Sequence, residues 1–295
     1  MTTKQKLKVA ILGSGNIGTD LLMKVLRSDF LECSLFIGRN LSSPGMKKAN
    51  SHQVTISDQG IDAIKSNPKI CDLVFDATTA SSHYIHAPIL REFGIKAIDM
   101  TPSQLGKICV PAINGKSCLD FDNINMITCG GQASTPLAYT LMQNVPEIEY
   151  IETVSSIASR SAGPGTRANI DEYIENTEKG IHELTGCKNV KAILNLNPAT
   201  PCIDMQTTVF AKVKDCDAEK LEVPIRIMEE KIQKYVPGYK IVVPPVFENG
   251  RIMVMVRVQG LGDYLPKYAG NLDIINCAAI SMAEEYAKLS LGVNQ

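Results

Sequence analysis

The residue best suited to covalent chemistry is Cys129, which ends an apolar run and precedes two glycines in the segment NMITCGGQ. The sequence predicts a helix start just beyond it, at Thr135-Pro136, and a helix N-terminus lowers a thiol pKa from about 8.5. Gly130 and Gly131 would let backbone N–H groups approach a developing oxyanion. The segment therefore predicts an activated nucleophile. The alternative is a buried cysteine in a glycine-rich turn, because free cysteine is among the most buried residue types.

A second motif, GSGNIG, directly follows the apolar run Leu7–Leu12 and opens a segment with apolar residues at helical spacing. In a dinucleotide-binding fold the first glycine makes the tight turn, the second admits the pyrophosphate, and the third lets helix and strand pack closely. An ordinary strand-to-helix turn is the alternative. We predict that a nicotinamide dinucleotide binds at Gly13, Ser14, Gly15, Asn16, Ile17 and Gly18.

The next apolar run, residues 33–37, lacks the acidic residue that commonly binds the adenosine ribose and ends instead in Arg39 and Asn40. Arg39 suits a 2′-phosphate and hence NADP, whereas Asn40 suits the free hydroxyl of NAD, so residue chemistry leaves both cofactors open. The alternative is that Arg39 is a solvated surface charge without a role in cofactor binding. Thr78 follows a later strand at its carboxyl end, where its hydroxyl would line the cofactor cleft or cap the next helix.

The chain alternates strands and helices to about residue 127, which predicts an α/β fold with a parallel sheet of the Rossmann type. Apolar and polar residues then alternate in residues 148–157, 206–213 and 251–258, which predicts an antiparallel sheet in a second, α+β dimerisation and substrate domain. We predict a dinucleotide-binding domain over residues 1–130 and 271–295, with the last helix returning to it. The substrate domain covers residues 131–270.

Composition excludes several classes of protein. The 30 basic and 31 acidic residues give a net charge of −1, so charge offers no case for nucleic acid or membrane binding. No apolar run suits a signal peptide or membrane span, and the cytoplasm is the expected compartment. The nine cysteines form no CxxC pair, which argues against disulfides and zinc. His83 and His86 have the spacing of a ligand pair but no evident third ligand, so no metal is predicted.

Four blocks together carry a family resemblance: GSGNIGTD, NMITCGGQA, SAGPGTRANIDE and YLPKYAGNLDI. Over nearly its whole length the chain resembles the acylating acetaldehyde dehydrogenases, which act beside 4-hydroxy-2-oxovalerate aldolases in catabolism of aromatic-ring fragments. The resemblance implies that Cys129 carries the acyl thioester and that the glycine turn binds the pyrophosphate. It also implies further nucleotide contacts from Ser161, Ala162, Gly163, Pro164, Gly165, Thr166, Arg167, Ala168, Asn169 and Asn271.

The implied substrates are a short-chain aldehyde, coenzyme A and NAD, in a homo-oligomer that docks on the aldolase. A thiolate adds to the aldehyde, hydride passes to the nicotinamide, and coenzyme A releases the thioester. The four histidines lie far from Cys129 in sequence, and a hydrolytic enzyme would need a base to drive water onto the thioester. A hydrolytic or semialdehyde dehydrogenase, or a dinucleotide-binding partner protein without catalysis, is the alternative. Arg160 and Arg167 suit coenzyme A phosphates or plain surface positions, and Asn271 suits the nicotinamide carboxamide or a helix cap.

Two departures from the family pattern bear on function. An acid that the resemblance predicts after the Asn-Pro-Ala block is Thr207 here, and Asp204 is the alternative acid, although three residues of strand would turn it to the other face. A longer family segment is reduced to Glu248-Asn-Gly250, which predicts a hairpin turn. Contacts with the aldolase or within the oligomer are therefore expected to differ.

Overall fold

The computed structural model describes residues 5–163, 166–167 and 169–292, which form two compact units. The first unit comprises the described chain up to Cys109, residues Gly115–Met126 and the chain from Asn276 onward. The second comprises Val110–Asn114 and the described residues of Ile127–Ile275. Each unit has its own sheet, and the two are described separately.

The first unit is built on a seven-stranded sheet in the order β3-β2-β1-β4-β5-β7-β6, and each pair of neighbours is parallel. Its strands are nearly continuous apolar runs, as expected where both faces of a parallel sheet are covered. The strands are β1 Leu7–Leu12, β2 Leu31–Ile37, β3 Ile56–Ser57, β4 Leu73–Asp76, β5 Lys96–Asp99, β6 Lys107–Ile108 and β7 Asn123–Asn125.

Helices connect these strands in the βαβ order predicted from the sequence, which confirms the Rossmann-type architecture. One part of the apolar core gathers Leu12 of β1, Val74 of β4 and Leu90 of the fourth helix, all essentially buried. The helices are α1 Asn16–Arg27, α2 Pro44–Ser51, α3 Asp62–Lys65, α4 Ala80–Glu92 and α5 Pro111–Cys118, with a short 3₁₀ turn at Pro68–Ile70.

The second unit contains a five-stranded sheet in the order β11-β12-β10-β8-β9. The predicted antiparallel pairing is confirmed for three of the four neighbouring pairs, whereas β8 and β9 pair in parallel, which the sequence did not predict. The physical reason is the crossover helix that separates β8 from β9. The strands are β8 Tyr150–Ala158, β9 Val190–Asn197, β10 Met205–Lys212, β11 Tyr239–Glu248 and β12 Arg251–Val258.

Helices cover one face of this sheet, and the burial pattern of its strands shows which residues they cover. Along β10 buried and half-buried residues alternate, so Thr207 and Val209 lie under the helices while Phe210 lies on the opposite face. The predicted turn at Glu248-Asn-Gly250 is confirmed: Asn249 and Gly250 have φ values of 51° and 74° and join β11 to β12. The remaining helices are α6 Cys129–Asn144, α7 Ile170–Thr185, α8 Glu219–Gln233 and α9 Gly270–Ser290, with a 3₁₀ turn at Ser159–Ser161.

No helix in the described part of the chain combines the length and apolarity that crossing a membrane requires. All nine cysteines lie in the described ranges, and each is a free thiol.

Candidate active site

Cys129 is the first residue of α6, so the predicted helix start at Thr135-Pro136 was wrong by about two turns. Thr128 caps the helix, accepting a 2.9 Å hydrogen bond from the Gly131 N–H on its Oγ1. Pro136 lies inside α6. Two consecutive glycines disfavour a helix locally, and tertiary contacts override that preference here.

The residue before the cap holds a strained backbone. Ile127 has a φ of 56°, which is a genuine outlier for a β-branched side chain. Its side chain is buried where Gly131 and Gly180 leave room, because a Cβ on either glycine would come within 2.9 Å of Ile127. The strain persists because packing from two helices determines it, as is common at functional sites.

Cys129 is half-buried as a residue, and its thiol contacts the hydroxyl of Tyr173, with 3.5 Å between Sγ and Oη. Burial raises the pKa of this thiol, while the Tyr173 hydroxyl and the backbone N–H of Gly130 lower it. The prediction of a net lowered pKa was therefore wrong, because desolvation outweighs the helix terminus. Burial, and next the charge of Asp72, raise the pKa of the Cys71 thiol to about 12.

The glycine N–H groups predicted as oxyanion donors already have partners. The Gly130 N–H donates to Tyr173 Oη at 2.9 Å, and the Gly131 N–H donates to the Thr128 cap. Sequence reasoning missed Tyr173, which lies 44 residues from Cys129 in sequence and reaches it through packing of α6 against α7. No local signal in the sequence marks this contact.

Thr207, at the position where the resemblance predicts an acid, is fully buried on β10 and shares a 2.9 Å hydrogen bond with Ser155 of β8. A Cβ on Gly130 would lie 3.0 Å from the Ser155 Oγ, so this hydroxyl pair borders the start of α6. Asp204 is near Arg257 and Gln259 instead, with Oδ2 3.3 Å from the Gln259 Nε2. Thr207 thus brings a neutral hydroxyl to this place.

In the first unit, the glycine motif forms the turn between β1 and α1. Gly13 has a φ of 110°, and a Cβ on Gly18 would lie 1.8 Å from the Gly13 carbonyl oxygen, so neither position accepts a side chain. A Cβ on Gly15 would meet no described heavy atom within 4 Å. This opening lies at the uncapped N-terminus of α1, where backbone N–H groups favour a phosphate. The residues present therefore fit a dinucleotide pyrophosphate.

The other predicted nucleotide residues of this unit lie beside that turn. The Ser14 Oγ sits over Gly38, whose added Cβ would be 2.2 Å away, and Gly38 leads to the exposed Arg39. The Asn40 side-chain oxygen accepts from the Ser42 N–H at 2.8 Å, so it stabilises a turn. Thr78 hydrogen bonds to Asp76, and Thr79, not Thr78, caps α4.

In the second unit, the predicted loop follows β8, and its described part is braced internally. Arg167 donates from Nη2 to the Ser159 carbonyl at 2.8 Å and from Nε to the Ala162 carbonyl at 3.0 Å. Ser161 donates to the Ala158 carbonyl at 2.8 Å. Arg160 is exposed. Gly163, Thr166 and Asn169 continue toward α7, while Pro164, Gly165 and Ala168 lie outside the described residues.

Asn271 occupies the first turn of α9 and is 1% exposed. Its side-chain oxygen makes no hydrogen bond to the described residues. A buried amide oxygen without a partner is costly, so a polar ligand that donates to it would be stabilised. The position is inside the helix, which removes the alternative that Asn271 is an N-cap.

Histidines have partners of their own. His83 and His86 each place Nδ1 on the Asp76 carboxylate, at 2.9 Å and 2.7 Å, and His182 places Nδ1 2.7 Å from the Cys187 carbonyl oxygen. His52 caps the end of α2. The carboxylate of Asp76, which both rings contact, therefore accounts for the three-residue spacing of His83 and His86.

Together, a parallel sheet with a glycine turn open to a pyrophosphate and a cysteine at a helix start define a two-unit, Rossmann-type dehydrogenase. The same fold occurs in the crystal structure of aspartate semialdehyde dehydrogenase II complexed with ASA from Vibrio cholerae, with a TM-score of 0.64 at 14% identity over 99% of this chain and 100% of that one. Residues 129–266 match the family described as "Prokaryotic acetaldehyde dehydrogenase, dimerisation".

Sequence relatives narrow the class. An acetaldehyde dehydrogenase of Spirochaeta aurantia is 60% identical, covering 96% of this chain and 95% of its own. That of Pectobacterium atrosepticum is 53% identical over 98% of both chains. The chain therefore belongs to the acetaldehyde dehydrogenase family. It is an oxidoreductase, and its family and fold together imply a nicotinamide dinucleotide cofactor.

Proposed function

We propose that the protein oxidises a short-chain aldehyde, with acetaldehyde as the expected substrate, to its coenzyme A thioester. The observation that carries this proposal is the half-buried Cys129 at the first residue of α6, with a hydroxyl group 3.5 Å from its sulfur. Its relatives' name supports acetaldehyde. A thiol at a helix start suits covalent capture of a carbonyl carbon.

The Cys129 sulfur attacks the aldehyde carbon to form a hemithioacetal. When bound, a nicotinamide would accept the hydride from that carbon, and Cys129 would then hold the acyl group as a thioester. The coenzyme A thiol then attacks the thioester carbonyl, and the Cys129 sulfur departs as the leaving group. The Nδ1 atoms of His83 and His86 lie on Asp76 and that of His182 on the Cys187 carbonyl, so none of these contacts places a histidine on Cys129 as a base for water, which supports release by a thiol.

We propose that the pyrophosphate binds across the N-terminus of α1 and that Asn271 binds the nicotinamide carboxamide. The opening at Gly15 and the unpartnered Asn271 oxygen support these two assignments. Arg39 is exposed, and residues 33–40 contain no acidic residue. This supports use of NADP in addition to NAD, the cofactor that the resemblance implies. For the loop after β8, the internal hydrogen bonds of Arg167 support a role in holding loop shape rather than in capturing coenzyme A phosphates.

The test is NADH formation from acetaldehyde, with and without coenzyme A. We expect turnover that requires coenzyme A and yields acetyl-CoA. Cys129→Ala should abolish turnover and leave the NADH dissociation constant within about twofold, since an alanine adds no bulk. Turnover without coenzyme A would identify a hydrolytic enzyme. Binding of NADH without turnover under either condition would favour a non-catalytic partner protein.

We further propose a homo-oligomer formed through the uncovered face of the second sheet. Phe210 of β10 is directly opposite Met253 of β12, and Met253 is opposite Val246 of β11, which is 40% exposed. Phe210 and Met253 are half-buried and Val246 is exposed, and the three form an apolar row, here called the open sheet row. The family description supports this assignment, since it names dimerisation for residues 129–266.

The resemblance also supports a stable complex with a 4-hydroxy-2-oxovalerate aldolase, which would pass the aldehyde on directly. Such an interface should bury at least about 1,000 Å². Co-purification with a co-expressed aldolase, followed by light scattering, tests it. A homo-oligomer alone at micromolar concentrations of both proteins would rule out the stable complex and leave the chemistry of Cys129 unaffected.

A further inference from the structure

Tyr173 places a buried hydroxyl on the reacting sulfur. Its Oη lies 3.5 Å from Cys129 Sγ and accepts a 2.9 Å hydrogen bond from the Gly130 N–H. The residue is 9% exposed. Two groups at the start of α6 thus converge on one oxygen atom of α7.

Close packing and hydrogen bonds between α6 and α7 fix the position of the Tyr173 hydroxyl. A Cβ on residue 130 would lie 2.2 Å from Tyr173 Oη, so the approach requires glycine there. Thr177 donates to the Tyr173 carbonyl at 2.7 Å and shares a 2.7 Å hydrogen bond with Thr128, the N-cap of α6. These bonds tie the first turn of α7 to the start of α6 beside the thiol.

The neighbouring polar groups have other partners. Thr207 and Ser155 bond to each other, and neither hydroxyl changes charge at neutral pH. The contact with sulfur therefore comes from Tyr173, and the Gly130 N–H polarises its O–H bond by donating to the same oxygen.

We propose that Tyr173 is a catalytic residue that holds the Cys129 thiolate by donating its O–H to the sulfur. This inference rests on the proposed function, since it assigns a role at the same sulfur. Burial, and next the Cys129 charge, raise the pKa of Tyr173 well above its ordinary range, so the phenol keeps its proton and acts as a donor rather than a base.

Protons in this step pass to and from solvent. The Cys129 thiol loses its proton to solvent, and Tyr173 rotates its O–H toward the sulfur, having accepted S–H before. The sulfur lone pair forms the bond to the aldehyde carbon, and the carbonyl π electrons move to oxygen, which takes a proton from water. Tyr173 ends with the proton it began with.

The decisive variant is Tyr173→Phe, which removes one oxygen atom. The folded protein is alkylated with iodoacetamide at a series of pH values, and mass spectrometry of the peptide that contains Cys129 gives the extent of reaction. This measures the titration of the thiol without substrate. Because a hydrogen bond to a charged group is worth about 1.5–3 kcal/mol, the titration midpoint should rise by about one to two pH units. Turnover at neutral pH should fall about 10- to 100-fold and recover in part at higher pH.

Tyr239→Phe is the matched control. Tyr239 is also buried, and its hydroxyl donates to the Ala133 carbonyl of α6 at 2.8 Å without touching the sulfur. It should leave the Cys129 titration unchanged. If Tyr173→Phe fails to fold, Gly130→Ala displaces the hydroxyl instead and should shift the titration in the same direction.

An unchanged titration in folded Tyr173→Phe would overturn the proposal, and so would an equal shift in Tyr239→Phe. The alkylation profile needs neither aldehyde nor coenzyme A. Failure of the coenzyme A assay would therefore overturn the proposed reaction without affecting this measurement.

Discussion

The Asp76→Asn substitution tests how much the buried carboxylate of Asp76 contributes to the stability of the first unit. This carboxylate, fully buried at the end of β4, accepts from the Nδ1 atoms of His83 at 2.9 Å and His86 at 2.7 Å. His83 is also fully buried, and its Nε2 lies 3.5 Å from Asp99. Asp76→Asn keeps the shape and one acceptor oxygen but removes the charge that these rings face.

The magnitude follows from burial. Removing one partner of a buried ion pair costs about 3–5 kcal/mol, because the remaining charge is left desolvated. The asparagine keeps one acceptor, so we expect a loss of about 3 kcal/mol in the free energy of unfolding. At roughly 2–4 °C per kcal/mol for a chain segment of this size, the melting temperature should fall by about 6–12 °C.

The destabilisation should also depend on pH. Hydrogen bonds from the two histidines lower the Asp76 pKa against its burial, so its contribution is present above the ordinary value of 3.8 and is lost as pH falls below it. Asp76 and Asp99 raise the His83 pKa against its burial, so that contribution is present below 6.5 and is lost as pH rises through the folded value. The cost of Asp76→Asn should therefore peak between these two values.

The assay is urea unfolding followed by far-UV circular dichroism at about pH 5 and about pH 9, since the chain has no tryptophan for fluorescence. Asp62→Asn is the control, because Asp62 pairs with Lys65 at 3.0 Å but is 69% exposed. That pair should contribute less than about 0.5 kcal/mol. A loss below about 1 kcal/mol for Asp76→Asn at pH 5, or the same loss at both pH values, would refute the charged-pair reasoning.

Three further predictions test other parts of the chain. Arg39→Ala should lower kcat/KM for NADP by about tenfold and leave that for NAD nearly unchanged, since only NADP carries the 2′-phosphate; steady-state kinetics with both cofactors decides it, and an unchanged ratio removes Arg39 from cofactor selection. Gly15→Ala should weaken NADH binding at an unchanged melting temperature, because its Cβ enters the open space proposed for the pyrophosphate. Gly18→Ala should lower the melting temperature, because its Cβ would lie 1.8 Å from the Gly13 carbonyl oxygen. Equal effects of the two variants on binding and on melting temperature would contradict the glycine assignments. Phe210→Glu puts a charge into the open sheet row and places it opposite the carboxylate of Glu152, so light scattering should show monomers. An intact oligomer would place the interface elsewhere.

Local pattern determined much of the fold. The boundaries of β1 and β12 are those that the apolar run 7–12 and the alternation over 251–258 predict, because a strand covered on both faces is apolar throughout and a strand covered on one face alternates. The glycine turn also followed from sequence, since its backbone geometry requires glycine whatever surrounds it. Cys129 stood out for the same kind of reason, as a reactive residue type beside two glycines.

Tertiary structure decided what those local patterns could not. The run 190–197 was not recognised as β9, so the parallel pairing that its crossover helix α7 produces was missed. α6 begins at Cys129 although two glycines follow, because Ile127 fills the space beside Gly131 and the Tyr173 hydroxyl fills that beside Gly130. The pKa of the thiol likewise depends on burial and on a phenol from another helix, and both arise only when distant segments pack together.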